Sequence, residues 1–247
     1  MEKKKIIATV ECRMTSSRLP GKVMLESYGK TMLEHIAERL SRVNRIEQII
    51  FATTTNKTDD CIEELARKIR VGCFRGPEED VLQRILSAAR AHEADIIVEI
   101  TGDCPLIDPD VAAQTIELYL QNACDYASND LKPSFPLGMD VQVFATELLA
   151  LADREGLTPD DREHVSWYIV RHPERFRLLH LPAPPPLYWP ELRLTLDEGR
   201  DFILIDRVFQ ALYHQKPDFD LYDIIRFLKA NIHLTGINAD VIQKRPS

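Results

Sequence analysis

The sequence predicts an α/β protein built on a doubly wound, mostly parallel sheet, with an inserted small mixed sheet and a helical C-terminus. Three observations carry this expectation. Apolar, β-branched runs with little polar alternation recur at residues 5–10, 48–54, 71–74 and 94–100, as strands buried on both faces require. Segments with helical spacing separate them at 31–42, 59–69 and 77–90. Such alternation closes into one sheet through right-handed crossovers. The 247 residues contain no internal repeat, low-complexity tract or flexible linker, so one domain over 1–247 is expected.

Each element has its own reason. Residues 5–10 (KIIATV) open the sheet, and a basic stretch leads from them to 31–42. There Met32, Leu33, Ile36, Ala37 and Leu40 share one helical stripe, and Thr31 and Glu34 have capping-box spacing. QIIFATT (48–54) reads as the second strand and 59–69 as a helix with Cys61, Ile62, Leu65, Ala66 and Ile69 inward. A short strand at 71–74 precedes a helix reaching Arg90. Pro77 suits its first position, and Glu78, Glu79 and Asp80 suit the positive end of its dipole. ADIIVEI (94–100) is the fourth strand, followed by a helix at 109–120. The rhythm then changes. Strands at 125–129 and 138–144 flank a polar loop, and Met139, Val141 and Val143 alternate with Asp140 and Gln142, leaving one face polar. Helices at 146–154 and 160–172 come next, then a strand at 176–181 and the stiff connector PAPPPLYWP at 182–190. A strand at 191–197 ending in Asp197, and helices at 198–213 and 220–230, complete the chain.

Composition narrows the function classes. A net charge of −8, from 39 Asp and Glu against 31 Lys and Arg, argues against non-specific binding to nucleic acid. The lysines of MEKKKIIATVEC are followed by an apolar run that stops at Glu11, too short for a signal peptide. No uncharged apolar stretch approaches the ~18 residues of a membrane span, so a soluble, cytoplasmic protein is expected. The five cysteines are scattered without a CxxC pair, which points to buried free thiols for most of them and not to zinc or a disulfide frame.

Against that acidic background, residues 8–22 (ATVECRMTSSRLPGK) gather Arg13, Arg18 and Lys22 with Thr15, Ser16, Ser17 and Gly21 between the first strand and the first helix. Guanidinium forks, an ammonium, hydroxyls and free backbone N–H groups are what a polyphosphate needs. Ligands in such sheets sit beyond the carboxyl ends of the strands. TGDCPLID (101–108) follows the fourth strand there, so Asp103 is expected near the basic loop. Asp197 ends another predicted strand; it is also a good helix N-cap. Two carboxylates beside a phosphate loop are how Mg²⁺ is usually held, which points to metal-assisted phosphoryl or nucleotidyl transfer. Gly21-Lys22 lacks the earlier glycine of a P-loop and is followed by Val23. Asp108-Pro109-Asp110 and Asp218-Phe219-Asp220 sit where helices start and read as caps. His164 is a candidate acid/base or substrate contact, with a polar position on a half-exposed helix as the plainer alternative.

These residues also carry a family resemblance. RMTSSRLPGK (13–22) resembles the nucleotide-binding signature of the sugar-acid cytidylyltransferases, which include the CMP-Kdo and CMP-sialic acid synthetases. TGDCPLIDP (101–109), FPLGMDVQVF (135–144), DREHVSWYI (161–169) and LRLTLDEGRDF (192–202) are similar, in order and spacing, to the group named for spore-coat polysaccharide biosynthesis. The resemblance implies a Rossmann-like fold of the nucleotide-diphospho-sugar transferase type. It implies an enzyme that joins CTP to an acidic or phosphorylated sugar and releases pyrophosphate, with Mg²⁺ as cofactor. Carried over by position, Arg13, Ser16, Arg18 and Lys22 hold the triphosphate, Arg75 and Asp80 lie near base and ribose, and Asp103 and Asp197 bind the metal. Gly138, Asp140, Gln142 and His164 face the sugar, and a homodimer forms through roughly 130–190. The chain departs from the family at Glu11, Cys12 and Thr15, where glutamine, alanine and glycine are common, and at Gln142, where glutamate is usual. Rival readings are a nucleotidyltransferase for a sugar-1-phosphate or polyol phosphate with another NTP, and a glycosyltransferase using a sugar nucleotide.

Overall fold

A computed structural model describes residues 3–243. The chain begins with β1 (Ile6–Glu11), a small hairpin of β2 (Glu26–Ser27) and β3 (Lys30–Thr31), and α1 (Met32–Leu40). It continues through β4 (Gln48–Thr54), α2 (Asp60–Ile69), β5 (Gly72–Gly76), α3 (Val81–Ala91), β6 (Ile96–Thr101) and α4 (Pro109–Gln121). Then come β7 (Tyr126–Ser128), β8 (Gln142–Ala145), α5 (Thr146–Glu155), α6 (Pro159–Glu163), α7 (Trp167–Val170), β9 (Leu178–His180), α8 (Gly199–Leu212) and α9 (Leu221–Ala230).

Seven strands form one sheet in the order β5-β4-β1-β6-β8-β7-β9. The first four are mutually parallel, as the alternation predicts. The expected mixed segment is the other end of this same sheet, where β8 runs antiparallel to both β6 and β7, and β9 pairs parallel to β7. The separate antiparallel pair β2–β3 is an addition the sequence reading did not contain.

Strand alternation divides the core between two faces. Ala8, Val10, Val98 and Ile100 pack with Leu33, Ile36, Ile116 and Phe209, while Ile7, Ile50, Ile97 and Phe144 pack with Leu82, Ile85 and Leu149. Full burial of such side chains stabilises by roughly 1.5–3 kcal/mol each. Caps end the helices where the sequence placed them. Thr31 and Glu34 close a capping box on α1, Asp108 caps α4, and Asp220 caps α9.

Four expectations need correction. Residues 191–197 do not form a strand; the segment is extended and buried, but its backbone bonds are shared between two loops, with Leu194 N donating to Leu137 O and Leu196 N to Asp103 O. The single helix expected at 160–172 is two short ones, broken where His164 leaves helical geometry at φ −111° and ψ 93°. Helix α3 starts at Val81 with Asp80 as its N-cap, not at Pro77, because the buried Arg84 guanidinium holds the carbonyls of Pro77 and Glu78 out of the helix. Of the five cysteines only Cys12 and Cys104 are buried; all five are free thiols.

Candidate active site

The basic loop leaves β1 at the carboxyl edge of the sheet. Its start is anchored by Asp59, fully buried, which accepts from Met14 N (2.9 Å) with one oxygen and from Thr53, Thr54 N and the Thr54 hydroxyl with the other. Burial alone would raise this carboxyl, yet those donors hold it below the ordinary carboxylate range. Its end is fixed by Gly21, at φ 74°, whose N–H donates to Met14 O (2.8 Å). Between these anchors, the backbone N–H groups of residues 15–19 make no hydrogen bond among the described residues. A run of free N–H groups on a turning backbone is an anion-binding nest. Ser16 adds an unpaired hydroxyl. Glu78, released from the expected helix, lies against the loop and accepts from Arg13 (3.4 Å), Thr15 and Asn56, the way an anion's oxygens would.

Asp103 and Asp197 converge on one point. Lys22 Nζ lies 3.1 Å from Asp103 Oδ2 and 3.0 Å from Asp197 Oδ1, although the carboxylates are far apart in sequence. Asp103 stands in the turn after β6, where Gly102 is required because a Cβ there would meet Glu11 O at 2.6 Å. Asp197 is delivered by the extended 191–197 segment. It is not the N-cap of α8; Glu198 is, so the Asp197 carboxyl is free to point at Lys22. Arg18 also reaches Asp197 Oδ1 (2.9 Å), and Arg193 holds Oδ2 (2.6 Å). Burial pushes the Asp197 carboxyl up, but Lys22, Arg193 and Arg18 outweigh it and keep the group below its usual range. For Lys22, burial favours the neutral amine and the two carboxylates prevail, raising its pKa. Both shifts favour the ionised forms of Lys22 and Asp197 at neutral pH. The ammonium is a stand-in cation: two buried or half-buried carboxylates focused on one cation, beside a phosphate-type loop, fit Mg²⁺, which typically takes one or two carboxylates plus phosphate oxygens.

The remaining candidates divide into groups. Gln142 and His164 line a cavity of about 330 Å³ on the β6–β8 side, which Glu11 also lines. Asp140 stands close enough to Asp130 and Asp103 that burial and these neighbours push it to about 8. Arg75 is turned to α2, paired with Asp60 (2.7 Å) and Glu63 (2.9 Å), and Asp80 is tied to Arg162 by bonds of 2.6 and 2.9 Å. Gly138, at φ 95°, packs directly on backbone, since a Cβ there would meet Thr195 N at 2.6 Å. It lets the 129–141 loop press on the segment that carries Asp197. Sequence reasoning missed Asp59, Glu78, Arg193 and Asp201. Asp201 is fully buried and accepts from Arg193 Nε (2.9 Å), from Asn238 and from the N–H groups of Asp197 and Glu198. The i, i+4 spacing of Arg193, Asp197 and Asp201 was its available signal.

Fold and site together define an α/β nucleotidyltransferase, and comparison with known proteins makes this specific. Residues 7–233 match the family model described as cytidylyltransferase, and the chain belongs to that family. An uncharacterized protein of Methanocaldococcus jannaschii is 35% identical over 243 residues, 97% of each chain. The spore coat polysaccharide biosynthesis protein SpsF of Bacillus subtilis is 30% identical over 92% of this chain and 95% of its own. A 3-deoxy-manno-octulosonate cytidylyltransferase of Solibacter usitatus is 34% identical over 93% of this chain and 96% of its own. A solved cytidylyltransferase from Leptospira borgpetersenii superposes with a TM-score of 0.90 at 31% identity, covering 98% of this chain and all of the other. No helix among the described residues is long and apolar enough to cross a membrane.

Proposed function

We propose that the protein is a cytoplasmic, Mg²⁺-dependent enzyme that transfers the cytidylyl group of CTP to an acidic or phosphorylated sugar, giving a CMP- or CDP-sugar and pyrophosphate for surface polysaccharide synthesis. The observation that carries this reading is the convergence of Asp103 and Asp197 on the Lys22 ammonium beside a loop of free N–H groups. Asp103 and Asp197 hold the metal, and Arg13, Ser16, Arg18 and Lys22 hold the triphosphate. When bound, Mg²⁺ supplies Lewis-acid polarisation of the phosphoryl oxygens.

The chain's own residues do the rest. The loop's N–H groups and Ser16 orient the phosphates so that the acceptor oxygen bonds to the α-phosphorus as the α–β phosphoanhydride bond breaks. Arg18 and Lys22, both now paired to carboxylates, turn to the phosphate oxygens and offset charge on the departing pyrophosphate. Arg13 exchanges Glu78 for phosphate in the same way. The acceptor enters from the cavity lined by Gln142 and His164, which opens beside Glu11 at the start of the loop. A homodimer through residues 130–190 accompanies this reading, and light scattering that finds a monomer would remove it. The test is pyrophosphate release with each of the four NTPs against a panel of sugar acids and sugar phosphates. Release with CTP and Mg²⁺ and one acceptor class supports the reading; release with another NTP only, or of nucleoside diphosphate from a sugar nucleotide, replaces it.

A further inference from the structure

The cavity on the β6–β8 side has a floor and a roof that the sequence did not announce. Its floor includes Glu99 and Gln142, which pair across β6 and β8. Paired residues point to the same face, and Glu11 and Thr101, paired two residues further along β1 and β6, add polar side chains on that side. Its roof is the break between α6 and α7, which brings His164, Ser166 and Trp167 to the same cavity as Glu99 and Gln142. Glu11 and Asp130 complete the wall.

The polar balance of this cavity is one-sided. Three carboxyl groups line it, from Glu11, Glu99 and Asp130, whereas no lysine or arginine does, and His164 is the single imidazole. Glu99 is only 5% exposed, and its Oε2 has no hydrogen-bond partner among the described residues. The Trp167 indole N–H in the same wall is also unpartnered. Asp130 is already engaged with Ser128 and Gln142, and Ser166 donates to Gln142, so the carboxyls of Glu99 and Glu11 are the ones left open to a ligand, with Glu99 the more deeply buried. A buried acceptor without a donor is costly, and an orphaned donor beside it marks where a small polar molecule completes the set.

We propose that this cavity binds the acceptor sugar through a primary amine, with the ammonium donating to Glu99 and flanked by Glu11 and Asp130, and with a hydroxyl accepting from Trp167. This rests on the nucleotidyl-transfer reading and names the acceptor class within it: an amino sugar whose anionic group, if it has one, faces Lys22 and Arg13. A carboxylate or phosphate placed in the cavity itself finds no counter-charge and opposes ionisation of the three carboxyl groups, while an ammonium favours their ionised forms and gains charge-assisted bonds there. The ligand-free state is consistent, since burial pushes Glu99 well above its ordinary range and Glu11 to about 7. Arg84, Arg13 and Lys22 act on Glu11 from outside the cavity and only partly relieve it.

The test uses hexoses carrying one primary amine at C2, C3, C4 or C6, each beside its hydroxyl parent and its N-acetyl derivative, as free sugars and as 1-phosphates. Binding to the full chain with CTP and Mg²⁺ present is read by calorimetry, and turnover by pyrophosphate release. At least one amine should bind at least ~10-fold more tightly than both of its counterparts, as a charge-assisted bond allows. Glu99→Gln, which keeps the shape of the side chain, should reduce that preference to less than about 3-fold while melting as wild type does. Equal or tighter binding of hydroxyl, N-acetyl or carboxylate-bearing sugars overturns the proposal, as does a preference intact in Glu99→Gln or no binding by any member. A preserved amine preference without pyrophosphate release would instead overturn the transfer reading and leave the amine site standing.

Discussion

Replacing Arg193 by methionine removes the guanidinium that joins Asp197 to Asp201. Asp201 is fully buried and loses bonds of 2.9 and 3.2 Å, keeping only Asn238 and two backbone N–H groups as donors. Asp197 loses its 2.6 Å partner and keeps Lys22 and Arg18. Breaking a buried pair by removing one partner costs about 3–5 kcal/mol, because the remaining charge is left uncompensated. At about 2–4 °C per kcal/mol for a chain of this size, Tm should fall by about 6–20 °C. The donors left to Asp201 favour the lower half of that interval. Thermal unfolding followed by circular dichroism at pH 7 measures it. Adding Asp201→Asn to the variant should recover part of the loss, since the stranded charge goes while an amide oxygen still accepts from the N–H groups of Asp197 and Glu198. A Tm within about 2 °C of wild type for Arg193→Met would refute the reasoning that this pair holds the Asp197 segment in place.

Other outcomes follow from the same geometry. Asp103→Asn should lower turnover at least ~100-fold in a pyrophosphate-release assay, taking the loss of one electrostatic stabiliser as the guide. Gly138→Ala puts a Cβ 2.6 Å from Thr195 N at a positive φ and should cost about 1–3 kcal/mol in urea unfolding, whereas Gly199→Ala, with nothing within 4 Å, should stay within about 0.5 kcal/mol. Glu11 carries a folded-state pKa of about 7 against 4.5 for the free group, so the folded state holds the extra proton between those values and wild-type stability falls as pH rises through that window. Glu11→Gln lacks this penalty; relative to wild type it should gain in Tm at pH 8 and not at pH 4.

The parallel half of the sheet was legible because strands buried on both faces write themselves as apolar runs, and Asp103 followed from its place just past one of them. The 191–197 segment misled for the same reason: an alternating apolar pattern looks identical whether backbone bonds go to a strand or, as here, to the loops at Leu137 and Asp103. The stripe at 160–172 is helical in pattern, but the chain breaks at His164 to roof the cavity, a tertiary demand that local spacing does not record. Glu99 lay inside ADIIVEI and passed as part of a hydrophobic strand; a lone glutamate in a central strand was the signal available. Glu78 and Asp59 owe their roles to loops meeting across the fold, which no single stretch of sequence encodes.

The central claim, that Asp103 and Asp197 jointly mark a cation site beside the triphosphate loop, is tested most directly by crystals grown with CTP and Mn²⁺ and measured for anomalous scattering. The predicted result is a manganese peak within coordination distance of both carboxylates, with the Lys22 ammonium withdrawn from them onto phosphate oxygens. A peak elsewhere, or Lys22 still bridging Asp103 and Asp197 with CTP bound, would contradict it.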